Sequence, residues 1–509
     1  MDCKYTKQNV TVSKALFKQT LEQPVDSDFT LPDYCPDIRR ILKCRVVPKI
    51  SQKSAEGGSV TVDGIANVNL IYSDEEKGIR TYDLQIPFSK SADFGGDWNS
   101  CIISAMCRTE YCNCRAVTER RVEIHASISI ALCVTANEDT EILTDIDEPS
   151  VQMLRGSAPS SNTKGYCEKY LLMNDELSLP DKSPAIRNIL RSDAGIIIRD
   201  KKIIGSKIVV KGDLVVNILY FGEETEHCES FSDSIPFSQI LDIEGINDDC
   251  TCVCDSDLVS LELHPRTGMS GDVRVISINA KLYLCATAYC NADVPFVYDA
   301  YSTKYDINLE YQDLEFQKVI FSDNDPYLIK QTLDIPSDAV ASVIDMWSTA
   351  HMMSVTESEN GILVKGNCTF CLIALDSSGE PAYYERTFDF DDVFDSGELP
   401  PKCEFRANIT VVGADCIVGS DGIEAKAELA VSVDVIEHRS EKVLCNAELG
   451  DEKQRKFKPS SVIVYFASKG EKLWDIASQY DTSIDAISAV NSLTDDVLSD
   501  NKTLVIPSV

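Results

Sequence analysis

Apolar and polar residues alternate strictly along three long stretches of the chain. Successive side chains of a β-strand point to opposite faces, so such alternation predicts an antiparallel strand with one buried face. The other face carries residues that water can solvate, such as Glu123, Lys281 and Glu428. The apolar positions are Val122, Ile124, Ala126, Ile128, Ile130, Leu132 and Val134 in the first stretch, Ile276, Ile278, Ala280, Leu282, Leu284 and Ala286 in the second, and Ile423, Ala425, Ala427, Leu429, Val431, Val433 and Val435 in the third.

The segments ahead of the first two stretches repeat each other. The distance from Pro32 to Gly64 equals that from Pro180 to Gly212, and one fixed spacing for several strings indicates a duplicated module. The repeated strings are LPDYCPDIRRIL (Leu31–Leu42) and LPDKSPAIRNIL (Leu179–Leu190), VTVDGIANVNLIY (Val60–Tyr72) and IVVKGDLVVNILY (Ile208–Tyr220), and IPFS at 86–89 and 235–238.

A third, more diverged copy precedes the third alternating stretch. It consists of LDIPSDAVASVI (Leu333–Ile344), ILVKGNCTFCLIA (Ile362–Ala374) and Phe388-Asp389-Phe390 where the other copies have IPFS. The repeat of about 150 residues is far longer than the 20–45-residue unit of a solenoid protein. Three separate modules are therefore expected.

These patterns predict a mainly β protein. We expect three tandem antiparallel β-rich modules, sandwich-like and with a short helix each, near Pro36–Leu42 in the first. The opening segment Val10–Leu21 is an amphipathic strand or helix packed on the first module. The expected domains are residues 1–140, 141–295 and 296–446, a linker at 447–459 and a last domain at 460–509; polar candidate linkers are Glu138–Thr163, Asn291–Asp325 and Asn446–Ser460.

The last 50 or so residues follow a different pattern, which predicts the order βααβ. Apolar residues at helical spacing predict a helix over Leu473–Tyr480 and a second over Ser483–Val490, with Ser483 as its N-cap. Short strands are expected at Val462–Phe466 and Thr503–Ile506.

Charge and composition narrow the classes of partner. The formal net charge is −34, so phosphate backbones and anionic membrane leaflets are repelled and nucleic acid is not expected as a partner. The start MDCKYTKQNV has no apolar segment behind its lysines, and no apolar run is long enough to insert into a membrane. We therefore expect a cytoplasmic protein whose 20 cysteines are reduced.

Catalytic and cofactor motifs are not found in the sequence. The chain has no GxxxxGK[ST], GxSxG, HExxH or GxGxxG, and its five histidines are scattered, so we expect no enzyme and no cofactor. One residue separates Cys112 from Cys114, and one residue likewise separates each of Cys250, Cys252 and Cys254 from the next. Alternate residues of a strand share a face, so these thiols could lie side by side. Three interpretations remain: a metal site, for which Cys250, Cys252 and Cys254 are weak candidates, a disulfide, or ordinary strand cysteines.

The last domain resembles a LysM domain. The matching positions are Lys469-Gly470, Leu473-Trp474, Ile476-Ala477, Tyr480, Ser483, Ile487, Asn491, Leu493 and Leu504-Val505-Ile506-Pro507, whereas Glu471-Lys472 and Asn501 depart from the family pattern. The resemblance implies a partner- or glycan-binding site in the two loops beside the strands. Its candidate residues are Lys469, Gly470, Glu471, Lys472, Leu473, Trp474, Asn491, Ser492 and Leu493, and Trp474 is either an interface anchor or a core residue.

The whole chain resembles the SipL type of endospore coat morphogenesis protein, on the strings LPDYCPDI, VDGIANVNLIY and IPFS together with the LysM pattern. This resemblance implies a non-enzymatic adaptor in the mother-cell cytoplasm, at the forespore surface and spore coat. Its LysM domain would dock on a scaffold ATPase of the SpoIVA type. The alternative is a cell-wall-associated protein that binds peptidoglycan or N-acetylglucosamine polymers. What the three β modules bind has no signal in the sequence.

Overall fold

The computed structural model describes residues 4–96, 98, 101–223, 228–268, 271–336, 339–419, 422–453 and 463–507. Up to residue 453 the described chain is built from antiparallel strands, and two short helices follow in the C-terminal domain. The prediction of a mainly β fold with a βααβ end is therefore confirmed. The two described helices have 7 and 8 residues, and neither could span a lipid bilayer.

Within the residues that the structure describes, each of the three modules has six strands in two three-stranded sheets. The first, sixth and fifth strands form one sheet with the sixth in its centre, and the second, third and fourth strands form a meander. The strands are β1 (Tyr5–Thr30), β2 (Arg40–Glu56), β3 (Ser59–Ser73), β4 (Ile79–Asp93), β5 (Cys101–Ala116) and β6 (Arg121–Ile146); β7 (Val151–Ser178), β8 (Ile186–Ile204), β9 (Lys207–Gly222), β10 (Cys228–Asp242), β11 (Cys250–Thr267) and β12 (Val273–Ser302); and β13 (Tyr305–Leu333), β14 (Ser342–Ser358), β15 (Gly361–Leu375), β16 (Pro381–Phe394), β17 (Cys403–Gly419) and β18 (Gly422–Glu452).

Each module has its own apolar core between its two sheets. The cores are filled by alternate residues of the central strands β3 and β6, β9 and β12, and β15 and β18. The apolar positions of the three alternating stretches are buried throughout. The predicted strands with one buried face are therefore present, and period-two patterning places the core of each module.

One cross-strand pair explains why the three copies share a glycine and a phenylalanine. Gly64 lies opposite Phe88, Gly212 opposite Phe237, and Gly366 opposite Phe390. In each pair the ring covers the glycine so closely that a Cβ would lie 2.2–2.7 Å from the ring atom Cζ. The glycine leaves space for the ring, as in sheets where an aromatic residue covers a glycine across the strand. The diverged Phe388-Asp389-Phe390 keeps this contact through its last residue.

The substitution Gly212→Ala is expected to destabilise the protein by about 1–3 kcal/mol, because the new Cβ must displace packed groups. The alanine Cβ would lie 2.2 Å from the main-chain carbonyl oxygen of Ile197 and 2.7 Å from Phe237 Cζ. Chemical denaturation measures the loss. Gly413→Ala is the matched control, since its Cβ would meet only Asn217 Oδ1, at 3.5 Å; equal losses in the two variants would contradict the steric argument.

The Pro-marked string forms a hydrogen-bonded loop in the first module, and the predicted short helix near Pro36–Leu42 is wrong. Residues 31–39 form turns and β2 begins at Arg40. The Arg120 guanidinium donates to the carbonyls of Leu31, Pro32 and Cys35, and Tyr72 Oη donates to Pro36 O at 3.0 Å. Prolines lack an N–H and disfavour a helical conformation of the residue before them, so the loop is not helical and its carbonyls are free to accept from Arg120 and Tyr72.

The second module repeats that loop, and the third keeps part of it. Arg274 donates to Pro180 O and Asp181 O, and Tyr220 Oη donates to Pro184 O. In the third module Ala374 stands at the tyrosine position, and Arg386 of β16 donates to Asp334 O instead. No α-helix occurs in the described residues of the three modules.

The three modules join in a central hub rather than through linkers. The hub comprises residues 5–13 paired with 137–146, 151–161 paired with 291–302, and 305–318 paired with 437–452. The long strands β6, β12 and β18 contact one another there. The predicted linkers Glu138–Thr163 and Asn291–Asp325 are therefore wrong, because strands run through them. Buried hub side chains are Val10, Ile142, Leu143, Ile146, Val151, Ala158, Val294, Phe296, Val297, Ala300, Leu314, Phe316, Val443, Leu444, Ala447 and Leu449.

The expected domain division stays a prediction, but its boundaries at 140, 295 and 446 fall inside β6, β12 and β18. The chain reverses at 147–150 and at 303–304, where one module's last strand leads into the next module's first. Of the predicted linker 447–459, residues 447–452 belong to β18, and residues 454–459 lie outside the described part. The segment Val10–Leu21 is part of strand β1.

Equivalent strands of the three modules also meet in a buried ion network. Arg45, Asp193 and Trp347 occupy equivalent places, because they pair with Asn69, Asn217 and Cys371, which stand equally far from the repeat glycines. The Arg191 guanidinium makes a bidentate contact with Asp345, at 2.7 Å for both N–O distances.

Further contacts complete this network. Arg191 also pairs with Asp193, and Arg45 reaches Asp193 at 3.0 Å. Both guanidinium groups lie over the Trp347 ring. Burial alone would raise the pKa of Asp193, but Arg45 and Arg191 hold this pKa below its usual range. The network links all three modules.

Candidate functional site

The C-terminal domain consists of β19 (Ile463–Ala467), α1 (Leu473–Gln479), α2 (Ile484–Asn491) and β20 (Lys502–Ile506). The two strands pair antiparallel, and the helices pack on one side of them. Ser483 is the N-cap of α2, and its hydroxyl accepts the N–H of Ala486 at 3.1 Å, as the sequence predicts. Ser492 ends this helix in a left-handed conformation.

The two candidate loops, before α1 and after α2, are tied together by main-chain hydrogen bonds. Gly470 N–H donates to Leu498 O at 2.8 Å, Leu473 N–H donates to Asp496 O at 2.8 Å, and Leu498 N–H donates to Glu471 O at 3.0 Å. Lys469 N–H donates to Asn501 Oδ1 at 2.7 Å, so the residue at the family's turn-glycine position holds the first loop. The loops form one surface, and most of their N–H donors are used within the domain.

Of the predicted site residues, four are exposed on this surface: Lys469, Gly470, Lys472 and Ser492. Glu471 is half-buried, and its carboxylate accepts the Ser468 N–H at 3.1 Å. Asn491 binds the N–H and the carbonyl of Val505, so its side chain holds the edge of β20. Leu493 packs half-buried on the domain core, and Leu473 is fully buried. The loops can therefore offer lysine, glycine and serine groups to a partner.

Trp474 is buried and faces the hub rather than solvent. Its indole ring lies 4.9 Å from the Tyr301 ring, edge to face, and Nε1–H donates to Asp299 Oδ2 at 3.0 Å. Only 7% of Trp474 is exposed. The structure fits the interpretation of Trp474 as a core residue. Its contacts with Asp299 and Tyr301 join the C-terminal domain to strand β12.

Two further contacts fasten the C-terminal domain to the hub. Tyr301 Oη donates to Thr482 O at 2.6 Å, and Lys453 Nζ binds Asp481 Oδ1 at 2.5 Å and Ser302 O at 2.7 Å. Burial raises the pKa of Tyr301 above its usual range. Sequence reasoning missed Asp299, Tyr301 and Lys453. No local signal marks them, because the domain they contact lies far along the chain.

The weak metal candidates do not act as one set. Cys250 is bonded to Cys290, its partner across β11 and β12, while Cys252 and Cys254 are buried beside each other. In the part of the chain that the structure describes, no group of three or more His, Cys, Asp or Glu side chains is arranged to hold a metal. His227, which the sequence places near Cys228, lies outside the described residues.

A cavity of about 410 Å³ lies between the modules and is lined by residues of all three. Lys53 Nζ donates to Tyr283 Oη at 3.0 Å and to Ile103 O at 3.1 Å, and Tyr166 Oη lies 2.8 Å from Tyr283 Oη. Burial raises the pKa of Asp257, which also lines the cavity. The Lys53 amino group donates to two acceptors. Its hydrogen bonds hold it in the cavity wall, so it is not presented as an exposed nucleophile.

Comparison with known families finds two kinds of domain in this chain. A family model described as SipL, SPOCS domain, matches residues 37–117 and 185–264, and a LysM domain model matches residues 468–507. The first SPOCS match covers β2 to β5 of the first module, and the second covers the equivalent strands β8 to β11 of the second module. Neither curated proteins nor solved structures gave a match to the chain. The chain therefore carries SPOCS domains of the SipL type followed by a C-terminal LysM domain, which is the domain content of a sporulation-related LysM protein.

Proposed function

We propose that this protein is a non-enzymatic structural adaptor of endospore coat assembly. Its LysM domain would dock on a forespore-surface scaffold ATPase of the SpoIVA type, in the mother-cell cytoplasm. The SPOCS modules would form the platform that carries the domain. The SPOCS and LysM matches support the sporulation setting.

The observation that carries the proposal is the orientation of the LysM domain on the hub. The face with Trp474 and Thr482 is used to fasten the domain, whereas Lys469, Lys472 and Ser492 stay exposed in the full chain. A domain held on one side and open at its two loops can present these loops to a large partner.

The chemistry of the loops favours protein over glycan. Glycan hydroxyls are commonly bound by main-chain donors over an apolar floor, but the N–H groups of Lys469, Gly470 and Leu473 already have acceptors within the domain. The side chains that remain accessible include Lys469, Lys472, Asp495 and Asp496. Charged side chains of both signs suit a complementary charged protein surface.

We expect Lys472→Ala to weaken recruitment of the scaffold ATPase about tenfold, which corresponds to about 1.4 kcal/mol. The lysine is exposed, so its removal should leave the fold intact. A pull-down of the purified scaffold ATPase with the full chain measures this change. Lys502→Ala, an exposed lysine of β20, is the matched control. Recruitment that is equal in both variants and the unchanged chain would show that docking does not use this loop.

The alternative function is peptidoglycan binding, which the LysM match also allows. Cosedimentation of the full chain with purified peptidoglycan separates the two. Tight pelleting that soluble N-acetylglucosamine oligomers compete away would support the alternative. No pelleting, together with capture of the scaffold ATPase, is the result that the adaptor proposal expects.

A further inference from the structure

Strands β2 and β5 belong to different sheets of the first module but run side by side at one corner. Thr109 Oγ1 of β5 donates to Val46 O of β2 at 2.6 Å, and Lys53 Nζ of β2 donates to Ile103 O of β5 at 3.1 Å. The residue numbers rise along one strand as they fall along the other. Strand β5 has a bulge between Thr109 and Tyr111, which inserts one extra residue, and this register continued past the bulge places Cys44 level with Cys112.

The two thiols also share one environment. Cys44 is only 7% exposed, and Cys112 packs half-buried against the core cluster that contains Cys44. The Cys44 thiol interacts with the thiols of Cys112 and Cys114. The contact with Cys44 holds the pKa of Cys112 below its usual range, whereas the contacts with Cys112 and Cys114 raise that of Cys44. Cys112 is the more exposed of the two, so it is the thiol that a reagent in solution reaches first, with Cys44 beside it.

We propose that Cys44 and Cys112 form an oxidative modification site, at which a low-molecular-weight disulfide converts the pair into an intramolecular disulfide between β2 and β5. With oxidised glutathione, the Cys112 thiolate attacks one glutathione sulfur, and the other glutathione leaves as a thiolate that takes up a proton. Cys44 then loses its proton, attacks Cys112 Sγ and displaces the second glutathione. Two protein thiols are oxidised and one glutathione disulfide is reduced to two glutathione molecules.

The site is particular to the first module. The position of Cys44 is taken by Ser192 in the second module and by Met346 in the third, so neither has a thiol there. The second module already carries a bond elsewhere, Cys250 to Cys290, which joins neighbouring strands of one sheet. A bond from β2 to β5 would instead join the two sheets of a module, and would fix the corner at which they separate.

The test treats the full chain with oxidised glutathione, blocks the remaining thiols with iodoacetamide, and maps peptides by mass spectrometry without reduction. We expect one cross-linked species that contains Cys44 and Cys112 and is lighter by two hydrogens than the separate peptides. Cys114→Ser, the neighbour on the same face, should leave its yield unchanged, whereas Cys112→Ser should abolish it.

Three results would overturn the proposal. The first is alkylation of both thiols after treatment, and the second is a stable glutathione adduct on Cys112. The third is a cross-link from Cys44 to Cys114. Circular dichroism of the unchanged chain and both variants checks that each is folded. The peptide map of the unchanged chain decides the matter even if a variant does not fold.

Discussion

Replacing Asp345 with alanine is expected to destabilise the folded chain by about 3–5 kcal/mol, because it leaves the buried Arg191 guanidinium without its bidentate partner. The side chains of Arg191 and Asp345 are 5% and 1% exposed, so water cannot replace the lost contacts. Arg191 and Asp345 belong to different modules, and we therefore expect the loss to appear as weakened association of β8 with β14. Chemical denaturation of the full chain measures it.

Two variants test the cause of this loss. Asp389→Ala removes an exposed carboxylate of the same module and should cost less than about 0.5 kcal/mol. The double variant Arg191→Met, Asp345→Leu removes both charges and should recover much of the stability, because uncharged side chains need no ionic partner. If the double variant were less stable than Asp345→Ala, the stranded charge would not be the cause.

Acid should act on the same network. Asp193 has a folded-state pKa below its usual value of 3.8, so its contribution is fully present above that value and is lost as the pH falls further. Association of the modules is therefore expected to weaken in strongly acidic solution.

Replacing Trp474 with alanine is expected to destabilise the LysM domain and its attachment by about 3–5 kcal/mol, because the change leaves a cavity between α1 and Tyr301 and removes the hydrogen bond to Asp299. Hydrogen–deuterium exchange of the full chain should show faster exchange in α1, β19 and the C-terminal end of β12. The module cores should exchange as before.

Phe466→Ala is the control for this variant, since Phe466 is a large aromatic residue of the same domain and is 77% exposed. It should leave the exchange of α1 unchanged. Faster exchange in α1 without any change in β12 would show that the tryptophan supports only the LysM core. A scaffold pull-down with Trp474→Ala then reports on attachment rather than on a direct partner contact.

The strands and cores could be predicted because their causes are local. Period-two alternation places the buried face of β6, β12 and β18, and the shared Gly64 and Phe88 positions mark one cross-strand pair in each copy. The βααβ order of the last domain follows from helical spacing and from Ser483 as an N-cap. These signals lie within a few residues of the element that they specify.

The features that were missed depend on contacts between distant parts of the chain. Polar residues such as Glu138 and Asp139 suggested linkers, yet the strands continue there because Ile142 and Phe296 pack in the hub. The sequence of the Pro-marked loop predicts a short helix, but the loop is held in another conformation by hydrogen bonds from Arg120, which lies far along the chain. Trp474 has two readings in the sequence, and only the position of Tyr301 decides between them.

The ion network has a consequence for the order of the modules. Arg45, Asp193 and Trp347 come from equivalent positions, and Arg45 complements the other two, since it pairs with Asp193 and lies over the Trp347 ring. Three identical copies of the first module would gather three guanidinium groups in one poorly hydrated space, where they would repel one another. Swapping or duplicating modules of this chain would therefore upset the charge balance of this network, so the three copies are not interchangeable.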